Sequence, residues 1–167
     1  MTLVILLGAP GAGKSTVGAL LAKELHLPFI DTDKAVEKIA DKSVSQIFVD
    51  DGEERFRALE LEVLEDVLKK SDSVISLGGG APISPIAQQL LKNSASVKIF
   101  LDVSLSVAAP RVGFNRDRPL LLGNPRAQWQ SLLDKRRPIY EDVADHCIKV
   151  DTLKVGSIVS EIVELVK

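Results

Sequence analysis

The sequence predicts an α/β fold of three layers, in which helices cover both faces of a five-stranded parallel sheet. Three observations lead to this prediction. Short apolar runs alternate with helical patterns along the chain, turn residues follow the apolar runs, and no repeat, low-complexity tract or long linker divides the 167 residues. Such alternation is typical of βαβ units, whose connections place helices over a parallel sheet. We therefore expect one domain that spans residues 1–167.

Each element follows from its local pattern. Apolar runs bounded by turn residues predict strands at residues 3–7, 28–30, 74–77, 97–101 and 147–150. Apolar residues at helical spacing predict helices at residues 14–25, 53–70, 85–91, 103–111, 125–145 and 155–166, the fifth of them broken at Pro138. A further helix is expected from Lys34 onward. Residues 113–124 carry few helix signals, and a loop of this length in a compact domain is often a lid.

Composition limits the partners and the compartment. A formal net charge of -2 argues against nucleic acid as the main partner, because neutralising phosphates requires clustered Lys and Arg. The first apolar run, residues 3–7, is too short for a signal peptide or a membrane helix. The lone cysteine, Cys147, excludes an internal disulfide, so we expect a cytoplasmic protein that binds no membrane. We expect Cys147 to be buried as a small apolar side chain and Trp129 to serve in packing.

Residues 8–15, Gly-Ala-Pro-Gly-Ala-Gly-Lys-Ser, match the phosphate-binding pattern G-x-x-x-x-G-K-[ST]. Its glycines allow successive backbone N–H groups to turn toward a phosphate, and the loop ends at a helix N-terminus, which favours anions. Lys14 can reach the β- and γ-phosphates, and the Ser15 hydroxyl can ligate Mg²⁺. The alternative is a glycine turn with a solvated lysine. The strand before the pattern and the helix after it favour a nucleotide site instead.

Two further groups of residues follow predicted strands. Asp31 and Asp33 come directly after the second strand, so one can face a metal ion and the other a substrate hydroxyl; alternatively, Asp33 only caps the next helix. Gly78–Gly80 follow the third strand, where the approach of a ligand to bare backbone would justify the entropy cost of three glycines. A simple tight turn is the alternative there. Because the carboxyl ends of parallel strands meet at one edge of a sheet, we expect both groups to lie beside the phosphate loop.

These motifs follow the order and approximate spacing of the shikimate kinase family. The same is true of Gly52-Glu53, Phe56-Arg57, Glu60, residues 118–121, and Arg136 with Tyr140. The chain resembles that family over nearly its whole length. The resemblance implies a P-loop kinase fold with a mobile lid, related to the nucleoside monophosphate kinases. It also implies phosphorylation of the 3-hydroxyl of shikimate by ATP with Mg²⁺, in the route to chorismate and aromatic amino acids. We expect no other partner and a monomeric protein.

The resemblance also implies roles for individual residues. The ATP site would comprise Gly11, Ala12, Gly13, Lys14, Ser15, Thr16, Arg111 and Arg118. Within it, Lys14 would contact the phosphates, Arg111 would stack on adenine, and Arg118 on the lid would neutralise charge that develops during transfer. Mg²⁺ would be held by Ser15 and, through water, by Asp31.

On the acceptor side, the resemblance implies that Asp33 binds the substrate hydroxyls and is the candidate proton acceptor. Arg57 and Arg136 would clamp the shikimate carboxylate, for which the planar guanidinium is geometrically suited. Gly79 and Gly80 would present backbone to the ring substituents. Lys14, Asp33 and Arg118 are therefore the expected catalytic residues.

The local sequence gives weaker support to the two arginines. Arg57 has Glu53 at i−4 and Glu60 at i+3, which is the pattern of a solvated ion-pair face. Arg136 stands between Lys135 and Arg137, and nothing local selects it from the three. Three other functions remain as alternatives: a gluconate-type sugar-acid kinase, a nucleoside monophosphate kinase, and a nucleotide-binding module without catalytic activity.

Overall fold

The computed structural model describes residues 2–112 and 124–167. Its strands are β1 (Leu3–Leu7), β2 (Phe29–Asp31), β3 (Ser73–Ser76), β4 (Val97–Asp102) and β5 (His146–Lys149). Its helices are α1 (Lys14–Leu25), α2 (Thr32–Ala40), α3 (Val44–Asp50), α4 (Gly52–Val67), α5 (Pro85–Asn93), α6 (Leu105–Val112), α7 (Pro125–Val143) and α8 (Val155–Val166). None of the helices in these two ranges is long and apolar enough to cross a membrane.

The five strands form one parallel sheet in the order β2-β3-β1-β4-β5, which confirms the predicted fold class. β1 lies at the centre, and all five of its residues are buried because helices cover both faces of the sheet. The carboxyl ends of β1, β2 and β3 therefore lie side by side. The segments that follow them, 8–13, 32–33 and 77–80, meet at this edge.

Short polar residues fix where several helices begin. Asp31 caps α2, Ser84 caps α5 and Asn124 caps α7, each by accepting hydrogen bonds from backbone N–H groups in the first turn. Helix α3, which has seven residues and follows the cap Ser43, was not predicted from the sequence. A helix this short has little periodic signal, and it is stabilised by packing on α2 and α4.

Helix α7 continues through Pro138, so the predicted break at this residue is wrong. Proline removes one backbone donor and crowds the preceding turn, which destabilises a helix locally. Here the turns on either side are held by side chains that the core buries, Leu133 before the proline and Tyr140 and Val143 after it. Tertiary packing therefore outweighs the local preference of Pro138.

The expectation that Cys147 is buried is also wrong, because its side chain is exposed. Cys147 lies on β5, an edge strand that pairs only with β4 among the described strands. Successive side chains of a strand point to opposite faces, and on β5 only Ile148 is buried in the core. Trp129, in contrast, is 1% exposed, as expected for a packing residue.

Candidate active site

The phosphate loop, residues 8–15, connects β1 to α1 and contains a tight turn. The Ala12 N–H donates to the Ala9 carbonyl at 3.2 Å, so Pro10 and Gly11 occupy the two central positions of the turn. Gly11 has φ +87°, as the third residue of a type II turn requires. A Cβ on Gly11 would also lie 2.8 Å from Cγ2 of Val112. Glycine is therefore required here both for the backbone angle and for the close approach of α6.

Lys14 and Ser15 are held at the start of α1. The Lys14 ammonium donates to the Gly8 and Ala9 carbonyls at 2.7 and 3.1 Å, which places its charge within the loop. The Ser15 hydroxyl donates to Oδ2 of Asp31 at 2.8 Å. A hydroxyl and a carboxylate are oxygen ligands that suit Mg²⁺, which keeps several waters and is otherwise bound by substrate phosphates. The residues present therefore fit a magnesium ion beside the phosphate loop.

The cap of α2 is Asp31 and not Asp33, so the capping alternative for Asp33 is wrong. Oδ1 of Asp31 accepts from the N–H groups of Asp33 and Lys34, at 3.0 and 3.3 Å. The Asp33 side chain instead lies against Gly78, where a Cβ would be 2.5 Å from its Oδ1. One aspartate thus faces Ser15 and the other faces the glycine loop after β3.

Gly78–Gly80 make room for charged side chains that come from other elements. None of the three has a positive φ, so backbone conformation does not explain them. A Cβ on Gly79 would lie 3.3 Å from Nη1 of Arg136, and a Cβ on Gly80 would overlap the guanidinium of Arg57. A turn is present, with the Ala81 N–H donating to the Gly78 carbonyl, but it does not by itself require glycine at three positions.

Two side chains that had no predicted role hold this glycine loop in place. Thr32 is 1% exposed; its hydroxyl accepts from the Gly78 N–H at 2.9 Å and donates to the Ser76 carbonyl at 3.3 Å. The Tyr140 hydroxyl donates to the Gly79 carbonyl at 2.6 Å. Burial raises the pKa of Tyr140, which keeps this hydroxyl protonated as a donor. Both bonds join residues distant in sequence, so no local pattern reveals them.

Arg57 is paired with a buried carboxylate. Its Nη1 donates to Oε1 of Glu60 at 2.8 Å, whereas Oε1 of the exposed Glu53 lies 3.6 Å from Nη2. Glu60 is 5% exposed, so the ion pair is not the fully solvated one that the local pattern indicates. Burial raises the pKa of Glu60, and the positive charges of Arg57 and Arg136 oppose this effect.

The structure distinguishes the three consecutive cations on α7. Arg137 points to β4, where its Nη1 donates to Oδ2 of Asp102 at 2.7 Å. Arg136 lies beside Gly79, on the side of the helix that faces the site. Lys135 is exposed but lines the same cavity as Arg136. Helical geometry therefore directs Arg136 into the site and the next residue away from it.

Two cavities lie at this edge of the sheet, one on each side of the glycine loop. The nucleotide-side cavity has a volume of about 470 Å³ and is lined by residues 10–17, Asp31, Asp33, residues 76–79, Arg111, Leu153, Val155 and Ile158. The acid-side cavity has a volume of about 290 Å³ and is lined by Glu53, Arg57, Gly80, Ile83, Leu132, Lys135 and Arg136. Ala12 and Thr16 belong to the first cavity, as does Arg111, which donates to the Gly11 carbonyl at 3.1 Å. The predicted lid and Arg118 lie outside the described residues, except Asn124 at the end of the lid.

A phosphate loop that shares a carboxylate-lined boundary with a cavity containing two arginines defines a P-loop kinase for a small anionic acceptor. The model of the family described as shikimate kinase matches residues 10–167. The chain therefore belongs to the shikimate kinase family.

Individual relatives agree with this assignment. The chain is 49% identical over 142 residues to a shikimate kinase of Thermobifida fusca, covering 85% of this chain and 81% of that one. It is 42% identical over 160 residues to a shikimate kinase of Rhodococcus jostii, covering 95% and 94% of the two chains.

Solved structures agree as well. The shikimate kinase from Acinetobacter baumannii in complex with shikimate superimposes with a TM-score of 0.94 at 30% identity, over 99% of this chain and 92% of that one. A deoxyadenosine kinase from M. mycoides shares the fold with a TM-score of 0.62, at 19% identity over 98% of each chain. The close relatives favour shikimate kinase over the gluconate kinase alternative.

The positive φ of Gly11 and its close approach to Val112 lead to a prediction with a matched control. Gly52 has nearly the same φ, +85°, but a Cβ there would meet nothing within 4 Å. We expect backbone strain to lower the free energy of unfolding by about 1 kcal/mol in both Gly11→Ala and Gly52→Ala, and crowding against Val112 to lower it further in Gly11→Ala. Only Gly11→Ala should weaken Mg-ADP binding, by at least tenfold, in a calorimetric titration. Equal ADP affinities of the two variants would contradict the role of the loop.

The raised pKa of Glu60 predicts a pH dependence of stability. Because the folded state favours the protonated carboxyl, Glu60 contributes stability that is fully present below the unfolded value of 4.5 and is lost as pH rises through the folded pKa. Glu60→Gln removes this loss. Urea unfolding at pH values from 4.5 to 7.5 should therefore show the variant gaining stability relative to the wild type as pH increases. If the stability of the variant relative to the wild type fell as pH increased, the raised pKa of Glu60 would be refuted.

Proposed function

We propose that this chain transfers the γ-phosphoryl group of ATP to the 3-hydroxyl of shikimate, giving shikimate 3-phosphate and ADP, a step of chorismate and aromatic amino acid biosynthesis. One observation carries the proposal: the phosphate loop and the cavity containing Arg57 and Arg136 meet at the glycine loop, with Asp33 at the boundary. The relatives' names and the bound shikimate of the Acinetobacter baumannii structure support the same acceptor.

The nucleotide would be bound by the phosphate loop. Gly11 and Gly13 offer backbone N–H groups to the phosphates, Lys14 binds their charge, and Ala12 and Thr16 line the same cavity. Arg111 stacks on the adenine, and three apolar side chains line the same cavity, Leu153, Val155 and Ile158. Ser15 and, through water, Asp31 would hold Mg²⁺, which supplies positive charge to the phosphate oxygens when bound.

The acceptor would be oriented by the charges that bind its carboxylate. Arg57 and Arg136 bind the carboxylate of shikimate through paired N–H donors, and Glu60 fixes the guanidinium of Arg57 from behind. Gly79 and Gly80 allow the ring substituents to approach the backbone. Because a carboxylate of fixed position sets the orientation of the ring, this clamp directs the 3-hydroxyl toward the nucleotide-side cavity.

Asp33 is the proposed proton acceptor. As the 3-hydroxyl oxygen bonds to the γ-phosphorus and the bond from that phosphorus to ADP breaks, the hydroxyl proton passes to the Asp33 carboxylate. Lys14 stabilises the negative charge on the transferred group. Arg118, outside the described residues, is proposed to do the same as an internal arginine finger on a lid at about 113–124.

We also propose that a monomer is sufficient for activity, because the described site residues all come from one chain. A cytoplasmic location is proposed on the basis of the lone Cys147 and the use of ATP. Neither nucleic acid nor a membrane is needed for the proposed reaction.

Arg57→Ala tests the acceptor clamp, and Arg55→Ala is its matched control. Both arginines lie on α4, but Arg55 is exposed and lies outside the acid-side cavity. We expect Arg57→Ala to raise the KM for shikimate by about 10- to 100-fold, as loss of a charged hydrogen bond does, with the KM for ATP within twofold. Arg55→Ala should change neither constant. Arg57→Lys should not restore the KM, because it lacks the planar pair of donors.

The function itself is tested by ADP release in a coupled assay with ATP and Mg²⁺. We expect ADP formation that depends on shikimate and falls by at least about a hundredfold in Asp33→Asn. Gluconate, quinate and nucleoside monophosphates are run in parallel. Activity with one of these and none with shikimate would overturn the substrate, and Mg-ADP binding without transfer to any acceptor would indicate a nucleotide-binding module.

A further inference from the structure

The one tryptophan of the chain forms a hydrogen bond with the phosphate loop. The Nε1–H group of Trp129, on α7, donates to the Pro10 carbonyl at 2.9 Å, across 119 residues of sequence. Trp129 is 1% exposed and does not line the nucleotide-side cavity. Its ring therefore contacts the loop from a buried position that is not part of the lining of that cavity.

The bonded carbonyl belongs to a peptide unit that has two alternative orientations. Pro10 and Gly11 are the central residues of the turn closed by the Ala12 N–H and the Ala9 carbonyl. Types I and II of such a turn differ by a rotation of this central peptide through about 150–170°. Proline fits the second residue of both types, and glycine adopts the third-residue φ of either type without steric penalty. The local sequence alone therefore leaves both orientations accessible.

The orientation of this peptide decides what faces the phosphates. Every described peptide bond is trans, so the Pro10 carbonyl and the Gly11 N–H point in opposite directions. With the carbonyl directed at Trp129, the Gly11 N–H points away from Trp129, and Gly11 itself lines the nucleotide-side cavity. In the rotated peptide, a carbonyl oxygen would face the cavity, and its partial negative charge would oppose phosphate binding.

We propose that Trp129 is a positioning residue for nucleotide binding: its indole N–H holds the Pro10–Gly11 peptide in the orientation that presents the Gly11 N–H to the phosphates. The proposal rests on the proposed function, since it assigns a nucleotide to this loop. It differs from a packing role, because it depends on one donor atom and not on the volume of the ring.

Because Trp129 is unique, replacing tryptophan throughout the protein changes this position alone. Expression of the protein in a tryptophan auxotroph supplied with β-(3-benzothienyl)alanine exchanges the indole N–H of residue 129 for sulfur, with little change in the shape of the ring. Growth on 5-fluorotryptophan retains the N–H and is the matched control. Trp129→Phe is a third, genetically encoded form, and Ile47→Val on α3 controls for a similar small loss of core stability distant from the loop.

The readouts are the dissociation constant of Mg-ADP by calorimetry and the KM for shikimate at saturating ATP. We expect the benzothienyl form and Trp129→Phe to bind Mg-ADP about three- to tenfold more weakly, the magnitude of one hydrogen bond, with the KM for shikimate within twofold. The 5-fluorotryptophan form and Ile47→Val should bind Mg-ADP as the wild type does.

Two results would overturn the proposal. The first is unchanged Mg-ADP affinity in the benzothienyl form. The second is an equal loss of affinity in Ile47→Val or in the 5-fluorotryptophan form, which would mean that stability or ring shape is responsible. Failure of the proposed function would be seen separately, as a wild type that binds Mg-ADP but forms no ADP with shikimate.

Discussion

Three charged side chains from three different elements meet at this site in space that residues 78–80, in the loop after β3, leave free of side chains. Gly78–Gly80 adopt ordinary backbone angles, and what they provide is space. Asp33, Arg136 and Arg57 occupy that space from α2, α7 and α4. The nucleotide side and the acid side of the site share this loop as their boundary. A Cβ on Gly78 would overlap the Asp33 carboxylate and a Cβ on Gly80 would overlap the Arg57 guanidinium, so the two halves of the site depend on the same constraint.

Charge balance within this small volume explains why the arginines can be held ready without a bound anion. Arg57 is neutralised by Glu60, whose carboxylate is buried and whose burial disfavours its own ionised form. The Glu60 carboxylate loses its hydration on burial, and this cost offsets part of its attraction to Arg57. An incoming carboxylate meets a cavity lined by three cations, Arg57, Lys135 and Arg136, against the carboxylates of Glu53 and the adjacent Glu60. Such an arrangement favours binding of an anionic acceptor over a neutral one.

The strands, the phosphate loop and the position of the site were predictable because they depend on short patterns: apolar runs, glycine spacing, and turns after strands. The continuity of α7 at Pro138 and the exposure of Cys147 were not, since each depends on which neighbours the fold supplies. The hydrogen bonds of Thr32 and Tyr140 to the glycine loop join residues 46 and 61 positions apart. The resemblance to a known family identified the two arginines of the clamp, but only the geometry of α7 shows why Arg136 faces the site.

The central place of β1 has a consequence for how the chain is made. This entirely apolar strand is synthesised before the other four described strands, yet its neighbours in the sheet are Ser73–Ser76 and Val97–Asp102. During synthesis at about 5–20 residues per second, roughly 5–20 s pass before both neighbours exist. Until then an unpaired hydrophobic strand is accessible to other chains. The same placement that positions the phosphate loop therefore leaves an apolar strand without its sheet partners for much of the time that the chain takes to be synthesised.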